Sequence, residues 1–410
     1  MLWTIVRLLA VLLAFGSNAA SASTLVINSN ASDPIPRLAW ERVVADFRRE
    51  HLDIDVQVNV FDHEGYKQSI RNWLSSSPPD VVFWFAGTRM RQFVDLGLLT
   101  DVSDLFTSAT RAELAKPAID LVSFQGKQYG VPYSHYHVGF FFRRDLLEQA
   151  GIDTFPANWT DFVDACAKLR SAGIDPVAIG TKDLWPTGAW FDYINLRMNG
   201  YRFHMDLMDG KVSYEDDRVR RVMLKWRELL DRRSFVEHHA SSTWQESQAL
   251  MYQGKAAMML IGNYIAAGFP PEIRDKMEFA AFPRVDGSVS RYEDAPMNSL
   301  HIPARARNQE NAKKFLAFLL RADVQGRLNK TTLTVPTNLA APLAEDRFIA
   351  AGRAHLGQAE GLTQYFDRDT DEELATIAMK GFQEFMLKPD RLDAILSNIE
   401  LARTRIYGRR

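Results

Sequence analysis

The run HLDIDVQVNVFDHEGYKQSIRNWLSSSPPDVVFWF, His51 to Phe85, carries the pattern from which the fold is read. Leu52, Ile54, Val56, Val58 and Val60 alternate with polar residues, the period-two signature of a strand with one buried face. Tyr66, Ile70, Trp73 and Leu74 then fall on one side of a helix, which ends at Ser75-Ser76-Ser77-Pro78-Pro79. Asp80 opens Val81 to Phe85, VVFWF, a short and wholly apolar strand. Upstream, Leu25 to Asn28 (LVIN) reads as a buried strand. Trp40, Val43, Val44 and Phe47 mark the apolar face of an intervening helix. Strand, helix, strand, helix, strand predicts an α/β unit with a mainly parallel sheet.

The alternation continues beyond this unit. The turn Gln125 to Gly130 leads into Val131-Pro132-Tyr133 and then the apolar run Val138 to Phe142. Thr160 to Leu169 and Val219 to Leu230 carry helical patterns, and Gly254 precedes a strand-like run, Ala256 to Ile261, closed by Gly262-Asn263. Asn311 to Leu320 is an amphipathic helix, and the tail from Glu372 to Ile406 reads as mostly helical. No internal repeat and no long linker stands out. Two α/β lobes, with the chain crossing between them more than once, fit this organisation.

The 410 residues are 46% hydrophobic and 24% charged, which excludes wholesale disorder and is ample for a large core. The 49 Lys and Arg nearly balance the 51 Asp and Glu, so the net charge of −2 gives no electrostatic reason to expect nucleic acid or anionic lipid as partner. Cys166 is the sole cysteine, which excludes a disulfide framework and Cys-rich zinc sites. Residues 1–22 read as a signal peptide: Arg7 is the only charge, Leu8 to Phe15 is the apolar core, and Ala20-Ser21-Ala22 is the cleavage site. That apolar run is well short of the roughly 20 residues needed to span a bilayer, and no later stretch is long and apolar enough either. A soluble protein exported to a Gram-negative periplasm is expected.

Catalytic and metal signatures are lacking. No GxSxG elbow, HExxH or GxxxxGK[ST] loop occurs. Cys166 sits on the apolar face of a helix, and the adjacent His238 and His239 would point different ways. Asp367, Asp369 and Asp371 mimic the first ligands of a calcium loop, but Glu372 replaces its glycine and Ala378 its last carboxylate. No catalytic residue, metal or cofactor is expected.

What recurs instead is an aromatic ring beside a hydrogen-bonding group where a strand runs into a loop, the place where open α/β sheets bind ligands. The candidates are His63 and Glu64, Trp84, Tyr133 with His135, Trp185, Trp190 with Asp192, Asn263 with Tyr264, Asn298, and Asp367 with Arg368. A pyranose would suit them, having a C–H face that stacks on indole and hydroxyls that need planar polar partners.

The chain resembles the extracellular solute-binding proteins of ABC sugar importers, the class that includes maltose- and glycerol-phosphate-binding proteins. The resemblance is carried by PPDVVFWFAGTRM (Pro78 to Met90), VDLGLLTDVSDL (Val94 to Leu105) and YGVPYSHYHVGFFFRRDLLEQAGI (Tyr129 to Ile152). NWTDFVDACAKLRSAGIDPVAIG (Asn158 to Gly180), WQESQALMYQGKAAMMLIGNYI (Trp244 to Ile265) and HIPARARNQENAKKFLAFLL (His301 to Leu320) extend it in the same order. It implies a two-lobed periplasmic-binding-protein fold of type II, with a hinge and a central ligand cleft. The implied lobes are 23–132 plus 300–330 and 133–299 plus 331–410, with hinge crossings near 131–134, 296–300 and 331–336. Where family proteins often show a tryptophan after the GkAAM strand, this chain has Asn263-Tyr264. The implied function is capture of a mono- or oligosaccharide by hinge closure, and its delivery by a monomeric receptor to ABC permease subunits. A receptor for glycerol phosphate or a polyamine is a second reading, and a glycan-processing enzyme using Asp192 and Asp367 a third.

Overall fold

Ser23–Ser29 pairs in parallel with Ile54–Val60 along its whole length and, through Ile27 and Asn28, with Val81–Phe85. These are the three strands that the opening pattern predicts. They belong to a computed structural model describing residues 23–408. Residues 1–22, the expected signal peptide, lie outside the described residues. The helices between the strands are Pro34–Glu50 and His63–Ser75. Asp62 caps the second of these, its carboxylate accepting from Gly65 N–H at 2.8 Å. Tyr66 on that helix ties neighbouring strands together: its hydroxyl donates to Asn28 O at 3.1 Å and accepts from Phe83 N–H at 2.9 Å.

The sheet is less parallel than the sequence suggests. Its order is 54–60, 23–29, 81–85, 297–301, 131–135, and Met297–His301 runs antiparallel to both of its neighbours. A parallel partner needs a crossover helix on the same sheet. Met297–His301 instead arrives from the other half of the molecule. The second sheet has the order 277–280, 138–143, 256–262, 175–177 and is antiparallel except for its last pair.

Each sheet has its own apolar core. Around the first, Phe47 meets Phe315 and Phe318 edge-on at 5.0 and 5.4 Å, which docks the amphipathic helix Gln309–Leu320. The second is built around Phe140, Phe162, Trp190, Trp226 and Phe282. The chain leaves the first core at Tyr133 and enters the second at Tyr136, then returns to the first at Met297. A third passage runs from Leu328 in the first core to Phe348 in the second. These passages lie side by side. His135 and Val335 exchange backbone hydrogen bonds of 2.9 Å, and Met297–His301 pairs with Val131–His135 through a bulge at Asn298/Ser299. Among the described residues, no helix is long and apolar enough to cross a membrane.

Candidate ligand cleft

A cavity of about 190 Å³ opens between the two halves, directly over the three passages. One wall comes from the first half. Asn30 follows the Ser23–Ser29 strand, Asp33 takes the N-cap position of the first helix and Trp40 lies in its second turn, and His63 starts the second helix with Lys67 one turn on. Trp84 and Phe85 end the Val81–Phe85 strand. Strand ends and helix starts converge here because every crossover of the parallel ladder turns at this edge. Trp185 and Trp244 face them from the first residues of the helices Trp185–Met208 and Trp244–Tyr252, with Tyr264, Tyr365, Asp367 and Arg368 beside them. Tyr133, Ser134, Tyr136, Asn298 and Thr334 form the floor.

Backbone geometry helps to aim the second wall. Leu184 adopts a left-handed φ of 64° immediately before Trp185, a conformation that costs a leucine roughly 1 kcal/mol or more and that clusters at functional sites. Thr243 and Glu246 form a reciprocal capping box that fixes the start of the Trp244 helix. Gly87 carries a φ of 76° just after the Val81–Phe85 strand, a backbone conformation that favours glycine.

The charges in the cleft are already partnered. Lys67 Nζ lies 3.2 Å from Glu64 and 3.3 Å from Asp367, joining the two walls. The Arg368 guanidinium donates to Tyr136 Oη at 2.9 Å, to Met297 O at 3.3 Å and to Asn298 Oδ1 at 3.3 Å. It also lies 4.1 Å over the Phe85 ring. Burial alone would raise the Asp367 carboxyl, but Lys67, Arg368 and Arg89 together hold it below its ordinary value. Burial, helped by Lys67 and Arg368, pushes the His63 imidazole down to about 3, so it is neutral and accepts from the Asn30 amide at 3.3 Å. Burial likewise pushes the Tyr136 phenol up to about 12, which keeps its proton in place.

Of the residues singled out from sequence, His63, Trp84, Tyr133, Trp185, Tyr264, Asn298, Asp367 and Arg368 line the cavity. Glu64 stands one step behind, gripping Lys67. Four others lie elsewhere. Trp190 is 1% exposed in the second core, stacked parallel on Trp226 at 6.5 Å and edge-on to Phe235 at 4.9 Å. Asp192 is fully buried beneath the cleft, where its carboxylate accepts from Phe366 N–H at 2.7 Å. Asn263 clamps two passages, accepting from His137 N–H at 3.0 Å and donating to Leu333 O. His135 spends its backbone on Val335, and burial lowers its imidazole to about 4.

Sequence reading missed Asp33, Trp40, Lys67, Trp244 and Tyr365, while Phe85 and Tyr136 lie in stretches it had singled out. The usable signals were the capping box before Trp244 and the nearness of Tyr365 to Asp367 and Arg368. Asp367, Asp369 and Asp371 diverge: the first faces the cleft, the second accepts from Gln364 N–H at 2.8 Å, and the third caps the helix Glu372–Leu387. Cys166 is buried, and burial pushes its thiol up to about 12.

Comparison with known proteins places this geometry in context. The profile of a family described as bacterial extracellular solute-binding protein matches residues 31–326. An uncharacterized ABC transporter extracellular-binding protein of Pyrococcus horikoshii is 24% identical over 315 residues, covering 74% of this chain and 69% of its own. Among solved structures, the bacterial solute receptor AcbH superposes with a TM-score of 0.89 at 28% identity, over 94% of this chain and 100% of its own; it is described as having an exclusive preference for β-D-galactopyranose. A chitin oligosaccharide binding protein superposes with a TM-score of 0.86 at 17% identity, over 94% of this chain and 99% of its own.

Proposed function

The chain belongs to the bacterial extracellular solute-binding proteins, and from that premise we propose that it is a periplasmic carbohydrate receptor serving an ABC importer. Its family consists of solute-binding receptors rather than enzymes, and their partners are small-molecule ligands and transporter permeases. The observation that carries the carbohydrate reading is the make-up of the cavity. Trp40, Trp84, Trp185, Trp244 and four tyrosines surround a few polar groups from both walls. Indole and phenol rings stack on the C–H face of a sugar, while Asn30, His63, Lys67, Asp367 and Asn298 supply the planar and charged partners that its hydroxyls need.

Charge favours a neutral ligand. Two cations, Lys67 and Arg368, stand with two carboxylates, Asp33 and Asp367, in the lining. The Arg368 guanidinium already donates to Tyr136, Met297 and Asn298, which leaves less of its fork for a phosphate. A polyamine would need several unpaired carboxylates, and Asp367 is already paired with Lys67.

The ligand closes the hinge because it touches both walls at once only in the closed form, and that difference in affinity supplies the bias. The receptor acts as a monomer, and residues 1–22 supply its export signal. The test is a thermal-shift screen of neutral sugars against glycerol phosphate and spermidine. A sugar at 100 times its Kd should add about 2.7 kcal/mol of stability. Stabilisation by the phosphate or the amine alone would sink the carbohydrate reading.

A further inference from the structure

We infer that the cleft takes one pyranose ring and rejects di- and oligosaccharides, an inference that rests on the carbohydrate reading above. The cavity of about 190 Å³ falls below the roughly 300–1,000 Å³ usual for drug-sized ligands. Its flanks are narrowed by contacts between the two halves. On one side Lys67 reaches Asp367 at 3.3 Å. Behind that pair Arg89 donates to Asp367 O at 3.0 Å and pairs with Glu372 at 3.1 Å. Gln92 adds a hydrogen bond to Asp371 at 3.3 Å. On the other side Gln245 reaches Asp33 at 3.4 Å beside the Trp244 ring.

Space for a longer ligand exists, but beyond this barrier. A groove of about 920 Å³ lies between the halves on the far side of Arg89, lined by Arg71, Arg91, Asp209 and Glu372 among others. Arg89 stands between the two volumes, touching Asp367 of the cavity and Glu372 of the groove. Its guanidinium is buried and lies 5.1 Å from the Trp84 ring. A second sugar unit would have to part these contacts and leave a buried cation without its carboxylate, which is strongly unfavourable.

The test is isothermal titration of the full mature chain with D-galactose, D-glucose, D-xylose and L-arabinose, beside lactose, melibiose, maltose and N,N′-diacetylchitobiose. At least one monosaccharide should bind, with every disaccharide at least 100-fold weaker. A disaccharide that binds as tightly as the best monosaccharide overturns the one-ring inference and leaves the carbohydrate reading standing. Failure of the whole panel removes both. In Glu372→Ala the ratio of disaccharide to monosaccharide Kd should narrow at least fivefold. An unchanged ratio would overturn the role assigned to the Arg89–Glu372 contact.

Discussion

Trp190 stands five positions after Trp185, about 140° around the axis of a helix, and that angle divides their roles. Trp185 faces the cavity and lies 5.3 Å from the Tyr365 ring, whereas Trp190 is enclosed by Phe140, Trp226, Phe235 and Phe282. Trp185→Ala should therefore weaken sugar binding at least tenfold, a loss of about 1.4 kcal/mol, beyond whatever stability the loss of this largely buried ring costs. Trp190→Ala should instead lower unfolding free energy by about 3–5 kcal/mol through the cavity it leaves. Urea melts and titrations of both variants read the contrast. A Trp190→Ala protein of native stability and lost affinity would reverse the assignment. The angle was not legible beforehand because Trp185 to Arg197 is buried without interruption, so no polar face marks which side is which. Trp40 shows the converse. Its spacing reads as core, and it does pack on Phe83 and Tyr133 at 4.6 and 5.0 Å, yet the same ring also walls the cavity.

At the scale of an element, the segment 363–370 does most to shape the second wall. It is buried throughout, although most of its residues are polar. Hydrogen bonds hold it from beneath: Thr363 Oγ1 to Asp294 at 2.5 Å, Gln364 N–H to Asp369 at 2.8 Å, Phe366 N–H to Asp192 at 2.7 Å and Thr370 Oγ1 to Met208 O at 2.7 Å. Burial raises the carboxyls of Asp192 and Asp294, and that of Asp369 to about 6. For Asp369 the folded value thus exceeds the ordinary 3.8, so the native state keeps a proton that the unfolded chain releases first. Stability from this group is lost as pH rises from about 4 through 6. Asp369→Asn removes that titration, and its stability relative to the parent should improve by about 2 kcal/mol between pH 4 and pH 7. Denaturant melts at both pH values measure it, and a difference independent of pH would refute it. The strands were readable from their alternation and apolar runs, and the residues at their ends came with them. Lys67 was not, because Asp367, its partner across the cleft, stands 300 positions away and no local pattern links the two.

For the molecule as a whole, separate cores and adjacent passages make rotation of one half against the other the cheapest large motion. Each core can stay packed while the segments at 133–136, 295–297 and 328–335 absorb the change. Leu333, with a left-handed φ of 49°, lies within the third of these. Small-angle scattering should record a smaller radius of gyration in saturating sugar than in its absence. Identical curves with demonstrated binding would mean that the halves do not part.

The antiparallel strand Met297–His301 also governs the order in which the polypeptide can mature. It fills the gap between Val81–Phe85 and Val131–His135, so a chain emerging from the ribosome must keep two neighbouring edges unzipped until synthesis has passed position 301. The helix Gln309–Leu320, which covers that sheet, is made later still. A precursor that cannot lock its amino-terminal half early stays pliable for nearly three quarters of its translation. That suits passage through a narrow secretion pore.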